Sequence, residues 1–235
     1  MLAVDGATFE VRRGTITGMI GPNGAGKSTV LALLAGALMC ASGSIVFDGV
    51  DVTSRSAYAR ARLGLIRTFQ ASSEFPRLTV LENLLVASRS RRGDSVLRVL
   101  AGPRTWRRDE EADLDRARAL LGRFELSGQE QEYAGNLSGG QKRLLEIARG
   151  LMAEPKLLLL DEPMAGVNPA LIQRIEEHLA VLRDEGLTML MVEHELGVVE
   201  RLCEPTIVMA QGRVLSEGTM AELRANEAVL DAYLS

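Results

Sequence analysis

The stretch GPNGAGKST, Gly21 to Thr29, decides how the rest of the chain is read. It follows the apolar run Thr15 to Ile20 and opens into the apolar segment Val30 to Cys40, so a strand precedes it and a helix follows. In that context the pattern G-x-x-x-x-G-K-[ST] forms a phosphate-binding loop. Gly21, Gly24 and Gly26 lack a Cβ and let the backbone turn its N–H groups inward around phosphate oxygens. The helix starting here adds the positive end of its dipole. Lys27 puts a point charge on β and γ phosphates, the Ser28 hydroxyl suits Mg2+, and Thr29 can donate to an α phosphate. The binding set is the whole loop: Gly21, Pro22, Asn23, Gly24, Ala25, Gly26, Lys27, Ser28 and Thr29. Alone, it says only that a nucleoside triphosphate binds.

At 235 residues the chain can hold one α/β core with an appended lobe. A net charge of −4 argues against a general nucleic-acid footprint, which needs a strongly basic balance. Cys40 and Cys203 are far apart and lack C-x-x-C spacing, as expected of thiols in a reducing cytosol. The apolar run Val30 to Ala41 has 12 residues, short of the about 20 that cross a bilayer, so a core helix is expected. The N-terminus carries Asp5 and Glu10 and does not read as a signal peptide. A cytoplasmic location follows, with any membrane role supplied by a partner.

Ahead of the loop, Ala7 to Val11 alternates as a strand and Thr15 to Ile20 is a second strand. Gly43 to Gly49 reads as a strand ending in a turn, Tyr58 to Arg62 as helix, and Leu63 to Phe69 as a buried strand delivering Gln70. Ligands of open α/β sheets sit beyond the carboxyl ends of strands, so Gln70 is placed to reach the phosphates. Val80 to Val86 is helical, with Val80, Leu81, Leu84 and Leu85 on one face and Glu82 and Asn83 on the other. Residues 88–108 hold seven arginines against one acid, Asp94, and read as a solvated insertion. Asp109 to Phe124 resumes a helix.

Asn136 to Gln141, NLSGGQ, precedes a helix reaching about Met152, with Ser138 as N-cap and Gly139 and Gly140 leaving its first N–H groups open. This is a second anion site, for which one small domain has little use. Lys156 to Leu160 is a strand suited to the centre of a parallel sheet and ends in Asp161-Glu162. Asp161 suits the Mg2+ water shell, leaving Glu162 to polarise an attacking water. Pro169 to Glu185 is helical, His178 within it being a surface residue. Thr188 to Val192 is another buried strand, bringing His194 beside Glu162 for a γ-phosphate contact. Two strands around Gln211-Gly212 and helices from Met220 to Leu234 complete the chain.

The loop, Gln70, Leu137 to Gln141, Asp161-Glu162 and His194 stand in the order and spacing of the ATP-binding subunits of ABC transporters, which the whole chain resembles. The resemblance implies a P-loop NTPase α/β core with a mostly parallel central sheet, an antiparallel β subdomain and a helical subdomain. It places the core and β lobe at 1–69 and 154–235, and the helical part, with its Arg-rich insertion at 88–108, at 70–153. It makes Glu162 the general base, has Gln70 sense Mg2+ and the water, and sets His194 on the γ phosphate; Ser28, Gln70 and Asp161 form the metal set. Ser138, Gly139, Gly140 and Gln141 would bind the nucleotide of a second ATPase subunit in a head-to-tail dimer, which gives the second anion site its use. Arg67 to Gln70, Leu78 to Leu85, Ala165 to Pro169 and Ala232 to Leu234 look like the ATPases of branched-chain amino acid importers. That likeness implies an ATP- and Mg2+-dependent ATPase on the inner face of the cell membrane. Its partners would be permease subunits and, indirectly, a solute-binding protein, with no nucleic acid. Phe75, Leu78 and Leu81 are the expected permease contact. The alternatives are an importer of urea or amides, and an ABC-type ATPase of a soluble complex such as iron-sulfur assembly. A kinase or GTPase would leave LSGGQ and His194 without tasks. The family's adenine-stacking aromatic precedes the segment matching Leu2 to Gly6, and a first edge strand is also missing, so weaker adenine binding is expected.

Overall fold

The computed structural model describes residues 3–68, 74–88 and 103–234, and the side chains of all these except 103–108 and 233–234. Gln70, Phe69 and most of the Arg-rich stretch therefore lie outside the described residues. In chain order the strands are β1 (Ile16–Ile20), β2 (Val46–Phe47), β3 (Val50–Asp51), β4 (Leu65–Arg67), β5 (Leu157–Asp161), β6 (Thr188–Val192), β7 (Thr206–Ala210) and β8 (Arg213–Gly218). The helices are α1 (Lys27–Ala35), α2 (Ala57–Leu63), α3 (Val80–Val86), α4 (Pro103–Arg123), α5 (Gly139–Met152), α6 (Pro169–Asp184), α7 (Leu196–Leu202), α8 (Met220–Arg224) and α9 (Glu227–Leu234). The chain divides into two compact units, 1–70 with 156–235, and 71–155.

The first unit is built on a six-stranded sheet of order β4-β5-β6-β1-β7-β8, parallel except for the β7–β8 pair, with β2 and β3 as a separate antiparallel pair. Every residue of β1, β5 and β6 is buried. Parallel strands covered on both faces read as continuous apolar runs, and ITGMI, LLLLD and TMLMV are such runs. The edge strand β8 alternates between exposed and half-buried instead, as one open face requires. Met19, Val30, Leu31, Leu159, Leu190, Val192, Ile207 and Met209 form the packed centre.

α1 closes at Gly36, whose left-handed backbone returns its N–H to the carbonyls of Ala32 and Leu33. The fully buried Arg60 completes that end, donating to the carbonyls of Leu33, Leu34, Thr53 and Arg55. A cation is favoured at a helix C-terminus, where free carbonyls gather.

The expected strand at Ala7 to Val11 does not form. Ala7, Phe9 and Val11 do turn inward and pack on the core, but no ladder partner pairs with them among the described residues, and alternation without hydrogen bonds is not a strand. Gly43 to Gly49 yields only the two-residue β2, paired with β3 across Asp48-Gly49.

In the second unit α3, α4 and α5 pack together. Asn83 was expected on the polar face of α3, yet it is fully buried. Its Oδ1 accepts the Phe75 N–H at 2.9 Å, and its Nδ2 donates to the carbonyls of Phe75 at 3.1 Å and Thr79 at 3.0 Å. The side chain satisfies backbone groups of the turn before α3 that no helix or strand ladder takes up. Asn83→Leu, which keeps the bulk and strands the Phe75 N–H, should cost about 1–3 kcal/mol. A lower urea midpoint at unchanged slope checks this; an unmoved midpoint would mean that other contacts hold the segment.

Candidate functional site

Three parallel strands, β1, β5 and β6, end at one edge of the sheet and deliver the loop, Glu162 and His194 together. Asn23, Gly24, Ala25, Gly26, Lys27, Ser28, Thr29, Glu162, His194 and Ala3 line one cavity of about 290 Å3. Two glycines are fixed by their surroundings. A Cβ on Gly21, at φ 149°, would lie 2.1 Å from the Met209 carbonyl oxygen; one on Gly26, at φ 99°, would lie 2.4 Å from that of Ala3. The cavity lining, all small or polar, carries no Phe, Tyr or Trp among the described residues.

Lys27 is buried and its ammonium donates to the carbonyls of Gly21 at 2.7 Å and Pro22 at 3.1 Å. Burial lowers its pKa, while the nearby carboxylates of Glu162 and Asp161 pull it back up. A cation so placed gains from any anion that enters the loop.

Glu162 has φ 49°, a left-handed backbone that costs a non-glycine residue roughly 1–2 kcal/mol. Its N–H donates to the Val192 carbonyl at 2.9 Å, one step beyond the end of β5, and its carbonyl accepts from Ala165 at 3.1 Å. Its Oε1 lies 2.9 Å from Nε2 of the half-exposed His194. A carboxylate and an imidazole in contact, one on each of two adjacent strand ends, can hold and move a proton between them and a water.

Asp161 is fully enclosed, with Oδ2 accepting from Arg67 Nη2 at 2.7 Å. Its Oδ1 is buried without a hydrogen-bond partner among the described residues. Such an orphaned acceptor, with the Ser28 hydroxyl in the cavity wall, fits a hydrated hard cation such as Mg2+. Among the described residues no group of three or more His, Cys, Asp or Glu could cage a metal.

In the second unit, Ser138 caps α5. Its hydroxyl accepts the Gln141 N–H at 3.3 Å, while the Gln141 side chain accepts the Ser138 N–H at 3.0 Å. Helix geometry leaves the N–H groups of Gly139 and Gly140 without an intrahelical acceptor. Gln141 thus serves the cap with its side-chain oxygen. Gln70 lies outside the described residues.

Two residues with structural weight were given no role from sequence. Arg67 had no visible partner, because Asp161 is distant in the chain and adjacent only through the β4–β5 pairing. Glu193 left a signal: an unpaired carboxylate placed directly after a wholly buried apolar strand.

Known proteins resemble this chain along nearly its whole length. Residues 4–165 match the family model described as ABC transporter, and residues 213–234 match one described as branched-chain amino acid ATP-binding cassette transporter. The chain is 38% identical over 232 residues to the probable branched-chain amino acid transport ATP-binding protein LivG of Archaeoglobus fulgidus, covering 99% of this chain and 89% of that one. It is 37% identical over 235 residues to the high-affinity branched-chain amino acid transport ATP-binding protein BraF of Pseudomonas aeruginosa, covering 100% and 92%. A nucleotide-free ATP-binding cassette from an ABC transporter superposes with a TM-score of 0.86 at 35% identity over 99% of this chain and 93% of that one. The dimeric cassette MJ0796 gives 0.76 at 25% identity over 93% and 90%. Fold, cavity and likeness along nearly the whole length agree: this chain belongs to the ABC transporter family, as an ATP-binding cassette.

Proposed function

We propose that this chain is the ATP-hydrolysing subunit of an importer of branched-chain amino acids. The observation that carries the catalytic part is the Glu162–His194 contact in the wall of the cavity that Lys27 and the loop enclose. The solute rests on the names of the relatives and on the C-terminal match.

Backbone N–H groups of Gly24 to Thr29 and the start of α1 cradle the phosphates, and Lys27 neutralises the β and γ oxygens. Glu162 orients the attacking water and takes its proton, while His194 braces that carboxylate and reaches the γ phosphate. Asp161, Ser28 and Gln70 would hold Mg2+, which when bound neutralises charge on the β and γ oxygens. The N–H groups of Gly139 and Gly140, with Ser138, serve the triphosphate gripped by a second ATPase subunit. No helix among the described residues is long and apolar enough to cross a membrane; in this reading permease subunits attach the chain to the inner face of the membrane. Phe75, 44% exposed beneath Arg149, and the shallow hollow of Pro76, Arg77, Tyr133 and Asn136 form the candidate contact; Leu81, being buried, drops out of it.

Glu162→Gln should keep ATP affinity within about threefold by calorimetry while hydrolysis falls on the order of 10²-fold or more. Near wild-type turnover would remove Glu162 from the role of base. Wild-type turnover per molecule should rise with protein concentration, and Ser138→Arg should lower it roughly tenfold or more without changing ATP affinity at high dilution. Concentration-independent hydrolysis would argue for a complete site in each monomer. With copurified permease in vesicles and a solute-binding protein, leucine should drive ATP consumption and be taken up. Stimulation by urea alone would transfer the chain to the amide importers, and a purification yielding only soluble partners would favour a soluble complex.

A further inference from the structure

Glu193 follows β6 and is 3% exposed, yet among the described residues no lysine or arginine forms an ion pair with it. Burying a carboxylate is costly, and an apolar side chain would fill the place without that cost. Its oxygens are instead used by main chain. Oε1 accepts the Met164 N–H at 2.8 Å and Oε2 accepts the His194 N–H at 3.0 Å. Burial raises its pKa, while the backbone N–H groups around it lower it.

The partners matter more than their number. The β5–β6 ladder ends at Asp161 opposite Val192, and the Glu162 N–H to Val192 carbonyl bond is its last main-chain link. Past that point the segments bearing Glu162 and His194 leave the sheet. Glu193 supplies the next rung with a side chain, one oxygen on each segment. Merely capping the local turn after β6 would need only the His194 N–H; the bond to Met164, on the other segment, would be surplus.

We propose that Glu193 is a positioning residue for hydrolysis, its carboxylate bridging Met164 and His194 and so holding Glu162 and His194 in contact. It touches no substrate and acts through those two residues. The inference rests on the roles given to Glu162 and His194 above.

Two variants separate bridging from capping. Glu193→Asp keeps a charge able to serve the local N–H groups but is one methylene too short for Met164. Glu193→Gln keeps one carbonyl oxygen and turns an N–H2 toward the other donor. The chain has two histidines, so imidazole resonances of labelled protein report on His194 with His178 as internal control. In both variants the His194 resonances should move while those of His178 stay. Turnover should fall on the order of tenfold to a hundredfold, with KM for ATP within about threefold. On a His194→Ala background either substitution should cost less than about twofold more, since coupled residues are not additive. Unmoved His194 signals in Glu193→Asp, or losses that multiply with His194→Ala, would overturn the proposal. The resonance experiment needs no turnover, so a wild-type chain inactive with ATP would sink the proposed function and leave the bridge to be judged separately.

Discussion

The structure depends on the main-chain ladder joining β5, β6 and β1. Because these strands run parallel and are buried on both faces, they must leave the sheet at one edge, and their next residues must meet there. Gly21 and Glu162 follow β1 and β5 directly, and His194 stands one residue past Glu193 at the end of β6. No long-range steering is needed to bring a phosphate loop, a carboxylate and an imidazole together; the ladder's register does it. The apolar side chains behind them fill the space on both faces of the sheet.

What was legible in sequence was what is local. The loop needed only its glycines and flanking runs. β5 and β6 announced themselves as unbroken apolar stretches, and the Ser138 cap followed from residue type and the helix after it. Ala7 to Val11 misled because alternation reports which side faces the core but says nothing about a pairing neighbour. Asn83, Arg60, Arg67 and Glu193 escaped for a common reason. Each is a polar group whose value lies in a partner supplied by tertiary structure, and Asn83 in particular sits at a position where helical spacing alone points to water.

The polar groups at the site show how little of the charge is left to chance. Lys27 is kept by two carbonyls of its own loop, Asp161 has one oxygen on Arg67 and one with no hydrogen-bond partner among the described residues, and Glu162 is held in a left-handed backbone beside His194. Several charges brought so close together are stable only when each is tethered. Lys27 is tethered by backbone carbonyls, Asp161 by the Arg67 side chain and Glu162 by that of His194.

The same economy governs the walls of the loop. The surfaces that exclude a side chain at positions 21 and 26 are peptide oxygens, those of Met209 and Ala3. Every amino acid carries that oxygen, so residues 209 and 3 are free to vary over evolutionary time without opening the cradle. The constraint falls entirely on the glycines, where even alanine would collide with something that no compensating mutation can remove.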